Sequence, residues 1–252
     1  MTWQAFGDLL FGQVVHLGAF VCLGLLLARR ELKAPARQIQ LYNEHRIDIA
    51  AVVMAFCGAI AFGVLIAQLR TFEGLRPLQS AIGSLPWYVL IIGTSLIGDL
   101  LNYLSHRLLH TAYFWRFHRW HHSPEHLFWF SGFRGSFVHL FIMALKNIVI
   151  LSITDLNPWV LGTLAVQGML AQLLSHVNFD VHIPILSRIV VMPQYHRIHH
   201  AVDRAKHDSN YGFVWTFWDK IFGTQTDPSE TSKDFELGLP KNEKVSIRQM
   251  LV

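Results

Sequence analysis

The sequence predicts an all-α integral membrane protein with about four to five membrane helices and a histidine-rich helical cap on the cytoplasmic side. Three observations carry this expectation. Apolar residues make up 52% of the chain and charged ones 15%, whereas a soluble domain usually carries about 25% charged residues. The apolar residues gather into stretches near the length of about twenty residues that a helix needs to cross a bilayer. Finally, eight histidines fall into three boxes, His106-x3-His110, His118-x2-His121-His122 and His196-x2-His199-His200, between or after those stretches.

Leu9 to Ala28 is almost unbroken apolar sequence, interrupted by Gln13 and His16, and His16 reads as a packed or interfacial residue rather than a ligand. Arg29, Arg30, Lys33, Arg37 and Arg46 follow as a basic loop. The positive-inside rule assigns it to the cytoplasm, and its expected role is topology rather than binding. Asp48 to Leu69 is the second span, Arg70 to Ser84 an outer loop, and Leu85 to Leu104 a third span that returns the chain just before His106. Asp99 and Asn102 lie seven and four residues before His106, on its helical face. An acid at that depth is costly without a partner, and a hydrogen bond from an imidazole of the first box, most readily His106, would supply one.

Phe137 to Thr154 is a fourth apolar helix, although Lys146-Asn147 at its middle leaves a full span and a shallow re-entrant helix both open. Asp155-Leu-Asn-Pro158 is a turn whose proline starts the next helix, Pro158 to Ser175. The two segments form a hairpin, so His176 returns to the side that His110 left and all boxes share one face. Leu186 to Met192 is expected as an interfacial helix. Tyr211 to Phe222, with Trp215 and Trp218, suits either the membrane interface or packing beneath the histidines. From Thr224 the charged, proline-containing tail reads as a solvated segment. Met1 to Asp8 lacks the basic region of a signal peptide. Cys22 and Cys57 lie in apolar runs, so no disulfide framework or cysteine zinc site is expected. The net charge of +4 is accounted for by cations flanking the spans and calls for no nucleic acid.

Residues three and four apart on a helix share a face, so each box presents its imidazoles together. Neutral imidazole suits iron, zinc and copper. Eight ligands exceed the four of a tetrahedral site, and the count argues for two metals. Two other readings remain open at this level. A zinc-dependent membrane hydrolase would need a general base such as the Glu of H-E-x-x-H, and the boxes carry none. A non-enzymatic haem or metal carrier needs one or two axial histidines and leaves the rest without a role. Non-haem iron near two per chain, zinc alone, or a haem absorption band would separate the three.

With these residues in hand, the chain resembles the fatty acid hydroxylase/sterol desaturase superfamily of membrane histidine-box oxygenases. The match runs from about Asp99 to Thr224. Asp99, Tyr103, His106, Arg107 and His110 look like that family's first box; His118, His121, His122 and Ser123, followed by Glu125-His126, look like the second. His176 in Ser-His-Val-Asn178 resembles its isolated His-x-Asn, and Pro193, His196, His199 and His200 its third box. Asn210-Tyr-Gly212 and Trp218-Asp-Lys-Ile-Phe-Gly-Thr224 resemble its closing motifs. The family's Arg-x-His-Pro-x-Glu is altered here to Arg134-Gly-Ser-Phe-Val-His139, which leaves His139 open between ligand and packing residue.

The resemblance implies a domain plan of 1–98 as an N-terminal transmembrane region, 99–224 as the catalytic region and 225–252 as a polar tail. It implies two iron ions, with O2 as co-substrate, that remove hydrogen from a lipid C–H bond to give an alcohol or an alkene. The implied ligands are His106, His110, His118, His121, His122, His176, His196, His199 and His200, with His207 as a further position and His182 a weaker one. Asp99 and Asn210 would support ligand imidazoles, and His126 would stand behind them. The implied partners are a lipid entering from the bilayer and a separate electron donor of cytochrome b5, ferredoxin or reductase type. The expected location is a bacterial inner membrane or endoplasmic reticulum, active site toward the cytoplasm.

Overall fold

In the computed structural model, which describes residues 2–37, 45–229, 231, 234–243 and 245–246, polar side chains are buried and large apolar ones face outward. Phe11, Leu25, Ile92, Ile97, Val149 and Val166 are exposed, while Asp48, Asp99, Asn102 and the box histidines are buried. Against water, each Å² of such apolar surface would be unfavourable by about 25 cal/mol. Against hydrocarbon the same arrangement is the favourable one, because the backbone and polar groups must be satisfied inside.

The long helices are α1 (Trp3–Lys33), α2 (His45–Arg70) and α4 (Trp87–Leu109). By length and composition α1, the Ile47–Arg70 part of α2, and α4 can each cross a membrane. A shorter apolar helix, α6 (Phe137–Ile153), packs between α2 and α4, and α7 (Pro158–His176) runs back beside α4. Ser136 starts α6 by accepting the His139 N–H, and Asn157 starts α7 by accepting the Val160 N–H just ahead of Pro158. Leu90, Leu156 and Val160 close this bundle at the end away from the histidines.

The cap is built from short pieces: α5 (Trp115–His122), α8 (Pro193–His199), α9 (Arg204–His207) and α10 (Phe217–Ile221). Phe20, Trp129, Met169, Leu173 and Val177 tie it to α1 and α7. Gly24 makes that joint possible, since a Cβ there would lie 2.1 Å from the Trp129 ring. The buried carboxylate of Glu31 accepts the N–H groups of Trp129 and Asn178 at 3.0 and 2.8 Å, and so pins two cap loops to the end of α1.

Four expectations are corrected. The segment Arg70 to Ser84 is not a plain loop but carries α3 (Arg76–Gly83), whose Gln79 amide donates to the Ser152 carbonyl. Leu186 to Met192 makes a single 3-10 turn, Leu186–Arg188, because Val191 and Thr216 pair the chains across Val190 and Trp215 instead. The basic loop does more than set topology: Ala36 and Arg37 bond Asn178 through backbone and side chain, and Arg37 donates to the Phe235 carbonyl. The segment after Thr224 is not merely solvated, since Leu237 is buried, Glu236 accepts the Val202 N–H and Gly238 donates to the His200 carbonyl.

Candidate metal centre

Four helices deliver the histidines to one place. His106 sits in the last turn of α4 and His110 just after it; His118, His121 and His122 come from α5; His176 ends α7; His196 and His199 lie on α8, with His200 at its end. These nine side chains form two adjacent groups, each with potential ligand atoms within 4.8 Å of one another. The first holds His106, His110, His118, His122 and His199, the second His121, His176, His196 and His200. Boxes and groups do not coincide: α5 and α8 each serve both.

The hydrogen bonds set the proton positions. His106 Nδ1 lies 2.9 Å from the Tyr211 carbonyl oxygen and His199 Nδ1 lies 2.7 Å from that of Ser209. A carbonyl only accepts, so both rings carry their proton on Nδ1 and present a bare Nε2. Those two Nε2 atoms are 2.9 Å apart, lone pair against lone pair. No proton is available between them, and a cation is what such a pair requires. His121 and His176 are held the same way, against the carbonyls of Arg134 (3.1 Å) and Gln172 (3.1 Å). Facing Nε2 pairs elsewhere in the groups lie 3.0 to 3.3 Å apart. Two imidazoles at about 2.0–2.1 Å from one metal would be separated by roughly 2.8–3.4 Å, from right-angle to tetrahedral geometry. The donor set therefore fits metal ions without rearrangement.

Charge points the same way. Burial, reinforced by repulsion from neighbouring imidazoles, holds His118, His121, His122, His196, His199 and His200 well below the ordinary histidine range. All six are neutral at neutral pH, the form that ligates.

Supports outside the groups differ from expectation. Asp99 does not touch His106. Its carboxylate accepts the N–H groups of Val214 and Trp215 at 2.9 and 3.0 Å, because the chain after Tyr211 crosses α4 at that level and leaves its amides there. It acts on His106 indirectly, by fixing the extended segment whose Tyr211 carbonyl orients the ring. Asn210 likewise bonds no imidazole: at φ 57 it turns the chain between Ser209 and Tyr211 and ties it to the Tyr195 carbonyl and to Thr226. Asp219, which the motif reading left without a role, accepts the Tyr211 and Gly212 N–H groups at 2.8 Å each. Gly212 is required beneath it, as a Cβ would lie 2.5 Å from the Trp215 carbonyl oxygen.

His207 joins neither main group. It stacks on Trp115 and makes a third cluster with His110 and Asp208. Asp208 was missed by the sequence reading, although it adjoins His207; its Oδ1 accepts from His110 Nδ1 at 3.1 Å. His139 stands behind His118, with the two Nδ1 atoms 2.8 Å apart, so it supports a ring rather than entering a group. His182 is exposed, His126 half-buried, and both lie outside the groups. Arg134 pairs with Asp48 of α2 at 2.6 Å, both fully buried, which anchors the carbonyl that orients His121.

Beside both groups lies a cavity of about 250 Å³ between α4, α6 and α7. His106 and His118 reach it from one group, His121, His176 and His196 from the other. Phe133, Leu140, Met143 and Phe213 supply apolar wall, and among the described residues no Asp or Glu lines it.

The family model for fatty acid hydroxylase matches residues 91–224, more than half of the chain. Ornithine lipid hydroxylase OlsE of Rhizobium tropici is 35% identical over 138 residues, 54% of this chain and 41% of that protein. Alkylglycerol monooxygenase of Caenorhabditis elegans is 28% identical over 127 residues (50% of this chain, 25% of that one). The Homo sapiens alkylglycerol monooxygenase is 29% identical over 139 residues, 55% of this chain and 30% of its own. The chain thus matches about two-fifths or less of the length of these relatives. No solved structure matches.

Proposed function

The chain belongs to the fatty acid hydroxylase family, and on that footing we propose that it is a membrane-bound non-haem di-iron oxygenase that hydroxylates a lipid C–H bond. The observation that carries the reading is the pair of buried all-imidazole groups, with the bare Nε2 atoms of His106 and His199 facing each other beside a cavity between α4, α6 and α7. Two irons held there would supply O2-dependent oxidation of an unactivated C–H bond.

The chain's own residues do the rest. His106, His110, His118, His122 and His199 would hold one ion; His121, His176, His196 and His200 would hold the other. The carbonyls of Tyr211, Ser209, Arg134 and Gln172 keep their ring partners on Nδ1 and aim Nε2 inward. Phe133, Leu140, Met143 and Phe213 exclude water and give a methylene chain a surface to lie on. The catalytic region in this reading is 99–224, with 1–98 as its membrane base. The lack of a carboxylate among the described cavity-lining residues favours oxidation over hydrolysis, which needs a general base near the substrate. That the relatives are named a lipid hydroxylase and a monooxygenase favours an alcohol over an alkene as product. Electrons would come from a separate donor of cytochrome b5, ferredoxin or reductase type, reaching the site from the cytoplasm.

Metal analysis of the purified protein, with O2-dependent conversion of a lipid extract in the presence of reductant, tests the reading. Near two irons per chain and an oxygenated lipid are expected. Stoichiometric zinc without O2 consumption would refute it. Orientation is tested separately: cysteines at Lys33 and Lys206, in a background without Cys22 and Cys57, should label together from the cytoplasmic side.

A further inference from the structure

Each of three helices around the cavity carries a polar side chain one or two turns inward of its histidine. Asn102 lies four residues before His106, Gln172 four before His176, and Lys146 seven after His139, so each shares its histidine's face. Gln172 is occupied, donating to the Gly132 carbonyl at 2.6 Å. The other two are not. Asn102 is 2% exposed and lines the cavity, yet its side-chain amide has no hydrogen-bond partner among the described residues. Lys146 lines the same cavity with its ammonium 4.7 Å from the centre of the Phe213 ring, and it too has no hydrogen bond or ion pair among the described residues. The carboxylate whose field reaches it, Asp99, is committed to the Val214 and Trp215 N–H groups.

An ammonium on an apolar helix is expensive, and the Phe213 face offsets only a small part of that. A cavity meant for plain methylenes would have no use for it. Deepening the proposed function, and resting on it, we infer that Lys146 and Asn102 receive the anionic oxygens of an amphiphilic substrate, so that oxidation falls a few carbons from that group rather than far down the chain. The spacing follows from helix rise: Asn102 and Lys146 lie on the order of 6 and 10 Å along their helices from His106 and His139.

The test is binding of defined probes to the metal-loaded protein in lipid nanodiscs, read as a saturable shift of the thermal unfolding midpoint. The probes are stearate, octadecyl phosphate, octadecanol and octadecyltrimethylammonium. The wild type is expected to bind stearate or octadecyl phosphate at least tenfold more tightly than octadecanol, and the ammonium not measurably; whichever anion binds tighter identifies the group. Lys146→Met, or Lys146→Gln should the first not fold, is expected to erase the preference, and Lys146→Arg to restore it. Equal affinity for anion and alcohol in the wild type, or a preference that survives Lys146→Met, overturns the inference. A lysine acting only as a structural counter-charge to Asp99 would change stability in the variants without changing this discrimination. Because the readout is binding, failure of turnover counts against the oxygenase reading and leaves this comparison standing.

Discussion

The carboxylate behind His110 offers the most direct test of how the centre is held. Asp208 accepts from His110 Nδ1 at 3.1 Å, while His110 Nε2, pointing into the five-histidine group, has no partner among the described residues. A carboxylate in this position makes the imidazole a better donor and fixes its ring, and losing one typically lowers metal affinity about 10- to 100-fold. Two features place Asp208 at the low end. Its side chain is 34% exposed, so water screens the charge, and its other oxygen is shared with Arg204 at 3.2 Å. Asp208→Asn keeps an acceptor and removes the charge, so it should weaken one of two bound irons about tenfold, roughly 1.4 kcal/mol. Asp208→Ala should weaken it further, and Arg204→Ala, by freeing the carboxylate, should strengthen it slightly. Competition against a chromophoric ferrous chelator measures all three. Wild-type iron affinity in both Asp208 variants would refute the assignment.

The two groups should fail separately: His199→Ala and His121→Ala are each expected to abolish turnover and bring bound iron toward half, with membrane insertion intact, as read by metal analysis of the membrane fraction. Asp99→Asn replaces an acceptor with an N–H facing the Val214 or Trp215 amide. It should loosen the Tyr211 carbonyl and lower iron affinity and turnover together, whereas a direct partner of His106 would also shift the spectrum of the loaded centre. Acidification acts through the neutral imidazoles. The unfolded chain takes up protons below about pH 6.5, and the folded one, with His118, His121, His122, His196, His199 and His200 held well below that value, does not. Stability of the metal-free fold is then fully present above about pH 6.5 and falls as pH drops, by about 1.4 kcal/mol per unit for each histidine involved. A thermal midpoint flat between pH 7.5 and 5 would show that the rings are not buried neutral.

What the sequence by itself determined is what short range decides. Apolar stretches of bilayer length set α1, α2 and α4; the Asn157-Pro158 start set the α6–α7 hairpin; and three- and four-residue spacing put each box on one helical face. The hairpin also implied that His176 would rejoin the boxes, and it does. The sorting of nine histidines into five and four was decided only by the tertiary structure. It depends on how α5 and α8 cross α4 and α7, and no spacing within a box encodes a crossing angle. The supports were equally illegible, and for the same reason. Asp208, Asp219 and Glu31 act on groups 98, 8 and 147 residues away, through backbone amides and ring nitrogens that leave no mark in composition. Asp99 shows the difference most sharply: its depth and its need for a partner were readable along one helix, but the partner was not. A buried carboxylate takes the nearest unsatisfied donors, and folding brought the Val214 and Trp215 amides there instead of the imidazole.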